Sequence, residues 1–376
     1  MKVLVIGAGV GGLALARGLV ADGHRVRVFE KAPGLRSSGG ALTLWSNGAG
    51  IVAELGGALE GAGAPIDVLA QYEAGGRPLL RMDMVPAVRR YGWQHVCVPR
   101  RRLVRLLADG LPEGSVSFGR ECTGVVQDGD GVRVDFADGS GAAGDVLVGA
   151  DGHHSVVRRA LRGREACKPS GWATWQGMER VPLDLVAGRE GRLIIGREGM
   201  CGLLPAGEGL LQWWFDRPWR PGEPPPESPL AELRRWFGHW KSPVPEVLAS
   251  IGGEEIEVFP HCRHPVPRTW GEGRCTLVGD AAHTMPPAQA QGANQALEDA
   301  WALTLALRGA SDVPAALRRY ERRRAGHAAF ASLAARTEYV NRYLPSLHRL
   351  VPDRLTGPAY TWWLRSVSGY LAALPR

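Results

Sequence analysis

The sequence predicts an α/β protein with three parts: a Rossmann-like domain, an inserted mixed β-sheet domain of α+β character, and a long C-terminal helix. Three observations lead to this fold class. A short apolar strand and a glycine-rich turn open the chain, and similar buried strands return near residues 145–150 and 274–278. Between those strands the composition changes near residue 170, where tryptophan becomes frequent. The chain has 376 residues and so exceeds one simple domain.

The N-terminus has the pattern of a strand, a turn and a helix. Residues 2–6 (KVLVI) are apolar, and Gly7, Gly9 and Gly12 follow with Gly-x-Gly-x-x-Gly spacing before a helical apolar face that ends at Gly23. Such glycines allow a tight turn, a close approach to a pyrophosphate and close packing of the helix on the strand. The helix start presents free N–H groups and a partial positive charge. A glycine-rich turn without a ligand is the alternative.

A second strand, residues 25–29 (RVRVF), ends at Glu30. This spacing from the glycine turn is close to that of a ribose-binding acid. A carboxylate there accepts hydrogen bonds from ribose hydroxyls and repels a 2′-phosphate, so we expect this pocket to disfavour NADP. A solvent-facing Glu is the alternative.

The remaining elements follow from periodicity and turn residues. The expected strands are residues 41–45, antiparallel strands within 116–136 that turn at 128–131, residues 145–150, and residues 274–278. The expected helices are residues 47–61, 99–109, 291–307, and a long helix from 314 to about 344. Short strands carry the tryptophans of the sheet domain at 172, 175, 213, 214 and 219, and a proline-rich loop (218–229) interrupts them.

The expected domains are discontinuous. Residues 1–70, 97–168 and 270–313 form the Rossmann-like domain, residues 71–96 and 169–269 form the sheet domain, and residues 314–376 form the C-terminal helical region.

Composition excludes several classes of protein. The hydrophobic fraction of 45% and the charged fraction of 22% are those of an ordinary globular protein. No stretch approaches the roughly 18 uncharged apolar residues that span a membrane, and the first strand begins at the N-terminus, so we expect no signal peptide. The net charge of +7 comes from dispersed basic residues, which indicates a basic surface rather than a nucleic-acid site.

Six cysteines are scattered along the chain without CxxC pairs or neighbouring histidines at metal-ligand spacing. We therefore expect reduced thiols, no zinc site and a cytoplasmic protein. His153 and His154 lack a third ligand nearby, so no metal site is expected there either.

Two further motifs complete the pattern. Ala150-Asp151-Gly152 ends the strand of residues 145–150 and is followed by Ser155 and Arg158. Residues 279–294 (GDAAHTMPPAQAQGAN) follow the last buried strand. With the glycine turn, these motifs resemble the class A FAD-dependent aromatic hydroxylases of the para-hydroxybenzoate hydroxylase type. The chain is most similar to the short members related to FAD-dependent urate hydroxylase and the tetracycline-modifying enzymes; the resemblance is weakest in 170–260.

The resemblance implies one FAD site built from all three motifs. In the family, the matches of Asp280 and Arg100 bind the ribityl–ribose region and the pyrophosphate, and residues 287–294 run beside the isoalloxazine ring. The Asp-Gly segment serves FAD and the transient nicotinamide cofactor. The residues expected to bind FAD are Gly7, Gly9, Gly11, Gly12, Glu30, Lys31, Arg36, Thr43, Arg100, Val126, Asp151, Asp280, Pro287, Ala290, Gln291, Gly292, Ala293 and Asn294.

Three positions in these motifs have alternative interpretations. Asp151 has the alternative role of capping a turn, and His283 is expected to be structural because flavin chemistry of this type needs no imidazole base. Many relatives have Gly where this chain has Ala290. If the backbone there requires a positive φ, the Cβ costs on the order of 1 kcal/mol.

The reaction implied by the resemblance is a single-component monooxygenation. Bound FAD is reduced by transient NADH or NADPH and reacts with O2, and a flavin C4a-hydroperoxide then hydroxylates or epoxidises an electron-rich aromatic compound. No catalytic side chain is expected, because the cofactor carries the chemistry. The same scaffold also supports reductases and halogenases, although the Trp-x-Trp-x-x-Pro signature of flavin halogenases is absent. A non-catalytic nucleotide-binding protein is the remaining alternative. The expected oligomeric state is a monomer or a homodimer.

The substrate is expected between the flavin and the sheet domain. Alignment with urate hydroxylase places Cys201 and Gln212 where that enzyme has its substrate-binding Arg and Tyr, so urate is not the expected substrate. Because alternate strand residues share a face, Cys201 with Leu203 and Gln212 with Trp214 are expected to line one apolar cavity. This cavity predicts a neutral aromatic substrate such as an indole, a phenol or a polyketide intermediate. The alternative is that the tryptophans only fill the domain core.

Overall fold

The structure is a computed structural model. It describes residues 1–129, 131–163, 167–182, 185, 188–224, 226–252, 256–337 and 351–375. The strands are β1 Lys2–Ile6, β2 Arg25–Phe29, β3 Ala41–Leu44, β4 Ala64–Pro65, β5 Val68–Glu73, β6 Pro78–Asp83, β7 Val96–Pro99, β8 Val116–Ser117, β9 Cys122–Asp128, β10 Gly131–Phe136, β11 Gly141–Gly144, β12 Val146–Gly149, β13 Lys168–Arg180, β14 Glu190–Ile195, β15 Met200–Gly207, β16 Leu210–Pro218, β17 Glu257–Arg263 and β18 Cys275–Leu277.

The helices are α1 Val10–Ala21, α2 Ser46–Glu54, α3 Val85–Tyr91, α4 Arg100–Ala108, α5 Val156–Arg162, α6 Pro229–Phe237, α7 Val244–Ser250, α8 Asp280–His283, α9 Gln291–Leu307, α10 Val313–Ala334, α11 Asp353–Ser366 and α12 Gly369–Ala373. Short 3₁₀ turns occupy Pro287–Gln289 and Ala335–Thr337.

A parallel five-stranded sheet forms the first layer, in the order β18-β12-β1-β2-β8. Its central strand β1 is apolar because it is buried on both faces of the sheet, where Val3, Leu4 and Val5 are fully buried. The carboxyl ends of β1, β12 and β18 lie at one edge of the sheet, where open α/β sheets bind ligands. This arrangement confirms the Rossmann-like fold predicted from the sequence.

A mixed seven-stranded sheet forms the second part, in the order β17-β13-β16-β15-β14-β5-β6. Helices α6 and α7 cover one face, where Trp175, Trp213 and Phe215 form a separate apolar core with Phe237. The opposite face is turned toward the Rossmann-like layer, since Leu204 belongs to the main core of that layer. The predicted domain boundaries stay a prediction, but β5 and β6, at residues 68–83, join this second sheet.

Several predicted boundaries differ from the structure for local reasons. The helix expected over 47–61 ends at Glu54, and Gly56 directly afterwards has φ +75°. Val116–Ser117 pairs with β2 in the parallel sheet instead of joining the antiparallel strands, which begin at Cys122. The long C-terminal helix is described to Ala334, and the predicted continuation beyond residue 337 lies outside the described residues.

The prediction that every cysteine is a free thiol was wrong. Cys167 and Cys262 form a disulfide, with their Cα atoms 5.8 Å apart. They are separated by 95 residues, so sequence spacing gave no sign of the pair. The strand register explains the pair. Antiparallel pairing of β13 with β17 places Pro169 opposite Cys262, so the start of β13, next to Cys167, runs alongside Cys262. Cys97, Cys122, Cys201 and Cys275 are buried free thiols.

Within the described part of the chain, no helix combines the length and the apolar character needed to cross a membrane.

Candidate active site

The glycine turn brings β1, α1 and the end of β12 into close contact. Gly7 has φ +105°, and a Cβ on it would lie 2.4 Å from the Ala150 carbonyl oxygen. A Cβ on Gly12 would lie 2.0 Å from the Gly7 oxygen. Neither position accepts a side chain without moving backbone. Gly11 packs against α9, since a Cβ on it would lie 3.2 Å from the Cβ of Ala296.

Gly9, by contrast, borders open space. It is the N-cap of α1, and a Cβ there would meet no atom within 4 Å. No side chain caps this helix, and no acidic residue lies in its first turn. The first N–H groups of α1 therefore face a gap with a partial positive charge, which is the chemistry that binds a pyrophosphate. This end of the sheet fits the phosphates of a dinucleotide.

Glu30 follows β2 beside this gap. Its Oε2 accepts a hydrogen bond from the Ala8 N–H at 2.8 Å, and its Oε1 accepts one from the Ala32 N–H at 2.9 Å. These two bonds fix the carboxylate at the edge of the glycine turn, and each oxygen retains a lone pair for a ribose hydroxyl. Lys31, next to it, is exposed.

The middle motif is a helix start. Asp151 accepts hydrogen bonds from the Ser155 hydroxyl at 2.5 Å and from the Val156 N–H at 2.7 Å. Burial raises the pKa of Asp151, and these hydrogen bonds act in the opposite direction. The side chain thus has the capping role that the sequence left open for it. Arg158 donates to the Ala281 carbonyl at 3.2 Å, which joins the middle motif to the late one.

The late motif is supported from beneath by Asp299 of α9. Gly279, with φ +59°, donates its N–H to Asp299 Oδ2 at 2.8 Å, and His283 Nε2 lies 2.5 Å from the same oxygen. Arg324 of α10 donates Nε to Asp299 Oδ1 at 2.7 Å. Burial alone would raise the pKa of Asp299, but His283 and Arg324 outweigh it, so the pKa lies below its ordinary value. His283 is therefore a fully buried structural residue.

Above this support, Asp280 is exposed at the start of α8. Its carboxylate is near enough to Arg100 to influence that side chain electrostatically. Burial lowers the pKa of Arg100, Arg36 lowers it further, and Glu257 and Asp280 act in the opposite direction. Charged residues from four distant parts of the chain thus lie close enough to influence one another electrostatically.

The loop after α8 turns sharply at Ala290, which has φ +50° and ψ +29°. Asn294 holds this turn, because its Nδ2 donates to the Ala290 carbonyl at 2.7 Å and to the Thr43 carbonyl at 2.9 Å. Its Oδ1 accepts from the Trp45 N–H at 3.0 Å. Neither a capping side chain nor a first-turn acid occupies the start of α9, so the N–H groups of residues 291–293 remain available for a ligand.

One prediction for the substrate side was wrong. The four residues expected to line one apolar cavity do not share a face of the sheet: Cys201, Leu203, Gln212 and Trp214. In the β15–β16 register, Cys201 lies opposite Phe215 and Leu203 opposite Trp213, and all four belong to the core under α6 and α7. Gln212 and Trp214 lie on the other face. Their neighbours on β15 are Leu204 and Gly202. The sequence indicated both strands correctly. It did not indicate the register between them, and that register decides which residues of β15 lie on the same face as Gln212 and Trp214.

Two contacts join this other face to the Rossmann-like layer. The Ala41 N–H donates to Gln212 Oε1, next to Thr43 in β3. Arg36 forms an ion pair with Glu257, which also accepts from Gln176 Nε2 at 2.6 Å. The predicted flavin-lining Arg36 is therefore bound to the sheet domain.

Sequence reasoning missed Asp299, Arg324 and Glu257. Asp299 and Glu298 are acids inside the otherwise apolar segment of residues 296–307, and that pattern was the available signal for a buried ion pair. Glu257 carried no comparable signal, since its partner Arg36 is 221 residues away. Val126 is 42% exposed on β9, where it lies opposite Arg133 of β10.

The described ranges contain no group of three or more His, Cys, Asp or Glu side chains arranged to hold a metal ion. The rings of His153 and His154 have centroids 3.9 Å apart and planes tilted by 45°, and both residues are exposed.

Comparisons with known proteins agree with this geometry. A family model described as an FAD binding domain matches residues 1–333. An FAD-dependent urate hydroxylase from Klebsiella pneumoniae subsp. pneumoniae is 34% identical over 332 residues, which are 86% of this chain and 86% of the relative. The aurachin C monooxygenase/isomerase of Stigmatella aurantiaca is 31% identical over 373 residues, 97% of this chain and 92% of the relative. The crystal structure of Klebsiella pneumoniae HpxO complexed with FAD and uric acid has a TM-score of 0.85 at 30% identity, covering 98% and 94% of the two chains.

The parallel sheet, the open glycine turn and the uncapped start of α9 are the features of a dinucleotide-binding enzyme. The chain belongs to the FAD binding domain family. It is an FAD-dependent monooxygenase, and its resemblance to the class A flavoprotein monooxygenases is confirmed.

Proposed function

We propose that this enzyme uses NADH or NADPH and O2 to insert one oxygen atom into an uncharged, electron-rich aromatic compound. Bound FAD supplies electron transfer and oxygen activation. The observation that carries the proposal is the position of the uncapped α9 start and the Ala290 turn, opposite the sheet face that bears Gln212 and Trp214. A flavin ring held by that turn would face that sheet across the cleft.

The protein's own contribution is orientation and charge. The partial positive charge at the start of α9 favours negative charge on a ring placed there, by about 0.3–2 kcal/mol. Glu30 and Asp280 would accept hydrogen bonds from the sugar hydroxyls, while α1 would bind the pyrophosphate. Arg100 would neutralise phosphate charge from the opposite side of the cleft.

The substrate class follows from the face of β15 that is turned toward the cofactor site. Its alternate positions are Met200, Gly202 and Leu204, none of which carries a charge. A urate-like anion would find no cation on this strand, and the proposal therefore excludes urate even though a relative acts on it. An indole, a phenol or a polyketide intermediate fits this surface.

We further propose a cytoplasmic protein that is a monomer or a homodimer.

A substrate panel tests the proposed reaction. The purified yellow protein is supplied with NADH or NADPH and air, together with neutral aromatics (phenol, indole, 2-naphthol) or with anions (urate, benzoate). We expect neutral aromatics to accelerate NAD(P)H oxidation and to gain one oxygen atom, as detected by mass spectrometry. Acceleration by the anions alone would overturn the proposed substrate class.

The cofactor site is tested by Asp280→Ala. A hydrogen bond to a charged group contributes about 1.5–3 kcal/mol, so removal of this carboxylate should raise the Kd for FAD about tenfold to a hundredfold. Titration of apoprotein with FAD, followed by flavin fluorescence, measures the change. Asp138→Ala, in an exposed turn beside Arg120, is the matched control and should bind FAD like the wild type. Full FAD affinity in Asp280→Ala would remove this residue from the site.

A further inference from the structure

Gly202 and Trp214 form a direct cross-strand pair on the face of the sheet that is turned toward the cofactor site. A Cβ on Gly202 would lie 2.0 Å from Cζ2, 2.1 Å from Cε2 and 2.3 Å from Cη2 of Trp214. The indole therefore lies across the β15 backbone, in the space that any other residue at 202 would fill with its side chain. One face of the ring contacts β15, and the opposite face is directed away from the sheet.

Trp214 lies between the two contacts that join the sheet to the Rossmann-like layer. Gln212, two residues earlier on the same face, binds the Ala41 N–H. Gln176, the other cross-strand neighbour of Trp214, binds Glu257, which pairs with Arg36. Trp214 is partly buried and packs against the main core. The indole thus lies at the junction between the sheet and the Rossmann-like layer.

The same sheet carries a matching pair on its opposite face. A Cβ on Gly177 would lie 2.6 Å from Cζ2 of Trp213, its cross-strand neighbour. Trp213 is only 1% exposed and belongs to the core under α6 and α7. The two pairs have the same chemistry and differ in what they face: one faces the helix-covered core, and the other faces the cleft.

We propose that Gly202 and Trp214 determine substrate specificity by forming a flat stacking surface for an aromatic ring. This inference rests on the proposed function. The absence of a side chain at 202 lets the indole lie back against β15, which keeps the cleft wide enough for a planar substrate. Any larger residue at 202 displaces the indole into the cleft. Aromatic pairs contribute enough free energy to change an affinity about two- to tenfold, so the surface selects flat rings over non-planar ligands.

Gly202→Ala tests this role, with Gly177→Ala as the matched control. The probes are phenol, indole and 2-naphthol, and their binding to FAD-loaded protein is measured by the change in flavin absorbance. We expect Gly202→Ala to raise the Kd for indole and 2-naphthol about two- to tenfold, with a smaller effect on the single-ring phenol. Gly177→Ala is expected to lower the urea midpoint, because it displaces a core tryptophan, and to leave probe binding unchanged.

A second variant covers the case in which Gly202→Ala does not fold. Trp214→Leu removes the ring without adding atoms at 202 and should weaken the bicyclic probes to a similar degree. Trp362→Leu, at a position 66% exposed on α11, is its control. If the wild type binds the probes and oxidises NAD(P)H faster in their presence, but Gly202→Ala and Trp214→Leu bind them equally well, the inference falls and the proposed function stands. If the wild type binds none of the probes, the proposed substrate class falls together with the inference.

Discussion

Ala290 is a non-glycine residue in the left-handed region, at the turn that precedes α9. Its Cβ is strained there, and Asn294 compensates by holding the turn from both sides through the Ala290 and Thr43 carbonyls. A positive φ was the condition under which the Cβ of Ala290 would be strained, and the backbone there does have a positive φ. Strain at a site of this kind is a property of the turn and of the element that fixes it.

We expect Ala290→Gly to increase the free energy of unfolding by about 0.5–1 kcal/mol, because glycine adopts a positive φ without steric cost. The urea midpoint measures this gain. Ala329→Gly, at an exposed position within α10, is the control and should lose about 1 kcal/mol from reduced helix propensity. A loss of stability in Ala290→Gly would show that the left-handed conformation is not strained.

Asp151 is a residue whose role the sequence motif did not decide. Its carboxylate is occupied by Ser155 and by the first N–H groups of α5. An Asp-Gly motif at the end of a buried strand predicts a polar residue at the ligand edge of the sheet. It does not predict whether the side chain binds a ligand or caps the following helix.

Helix α9 connects the cofactor loop to the C-terminal region. Its first turn carries Asn294, while Glu298 and Asp299 lie further along with Arg324 of α10. Glu298 also accepts hydrogen bonds from the Ser368 hydroxyl and, at 3.1 Å, from the Tyr370 N–H. Every partner is buried, so the position of the Gly279 turn depends on charge pairs that lie below it.

We expect Asp299→Asn to destabilise the protein by about 3–5 kcal/mol, since it leaves the buried Arg324 without its closest counter-charge. The Kd for FAD should rise as well, because the Gly279 N–H loses its carboxylate acceptor. Thermal unfolding and FAD titration measure the two effects. Asp312→Asn, at the exposed N-cap of α10, is the control, and it should be nearly neutral because Asn caps helices as well as Asp. Wild-type stability in Asp299→Asn would contradict the structural role of this cluster.

At the scale of the whole molecule, His95 marks the junction between the Rossmann-like layer and the C-terminal helices. It is fully buried, its Nε2 lies 3.0 Å from the Ser46 hydroxyl, and its ring packs edge-on against Tyr360 of α11. Burial lowers the pKa of His95 to about 4, although Asp67 and the backbone of Ile66 act in the opposite direction. The imidazole is therefore neutral in the folded protein at neutral pH.

This lowered pKa makes stability depend on pH in a defined direction. Between about pH 6.5 and pH 4 the unfolded chain binds a proton at His95 that the folded protein does not, so stability falls as the pH falls. The contribution lost between pH 7.5 and pH 5 is about 2 kcal/mol. We expect His95→Gln to reduce the difference between the free energies of unfolding at these two pH values, as measured by urea titration, by that amount. His239→Gln, at an exposed position, should keep the wild-type pH dependence; the same pH dependence in His95→Gln would exclude His95 as its source.

Local patterns predicted which motifs of the Rossmann-like layer come together. The glycine spacing, the acid after β2 and the late Gly-Asp motif each act within one turn of the chain, so the sequence alone indicated their positions. The three motifs then meet as expected, through contacts of Gly7 with Ala150 and of Arg158 with Ala281. The substrate side was predicted less well. Gln212 and Trp214 share a face, but Cys201 and Leu203 face the other way. The register between the two strands sets this orientation, and the sequence of neither strand specifies that register.

The sequence by itself determined the fold class and the family, because buried strands and glycine turns are local consequences of residue type. Tertiary structure decided which long-range partners meet: Cys167 with Cys262, Arg36 with Glu257, and Asp299 with Arg324. It also decided that Gly202, and not Cys201, lies beneath the indole of Trp214. The physical reason is that pairing between distant strands and burial of opposite charges depend on how the layers pack. The residues next to each position in the sequence do not indicate that packing.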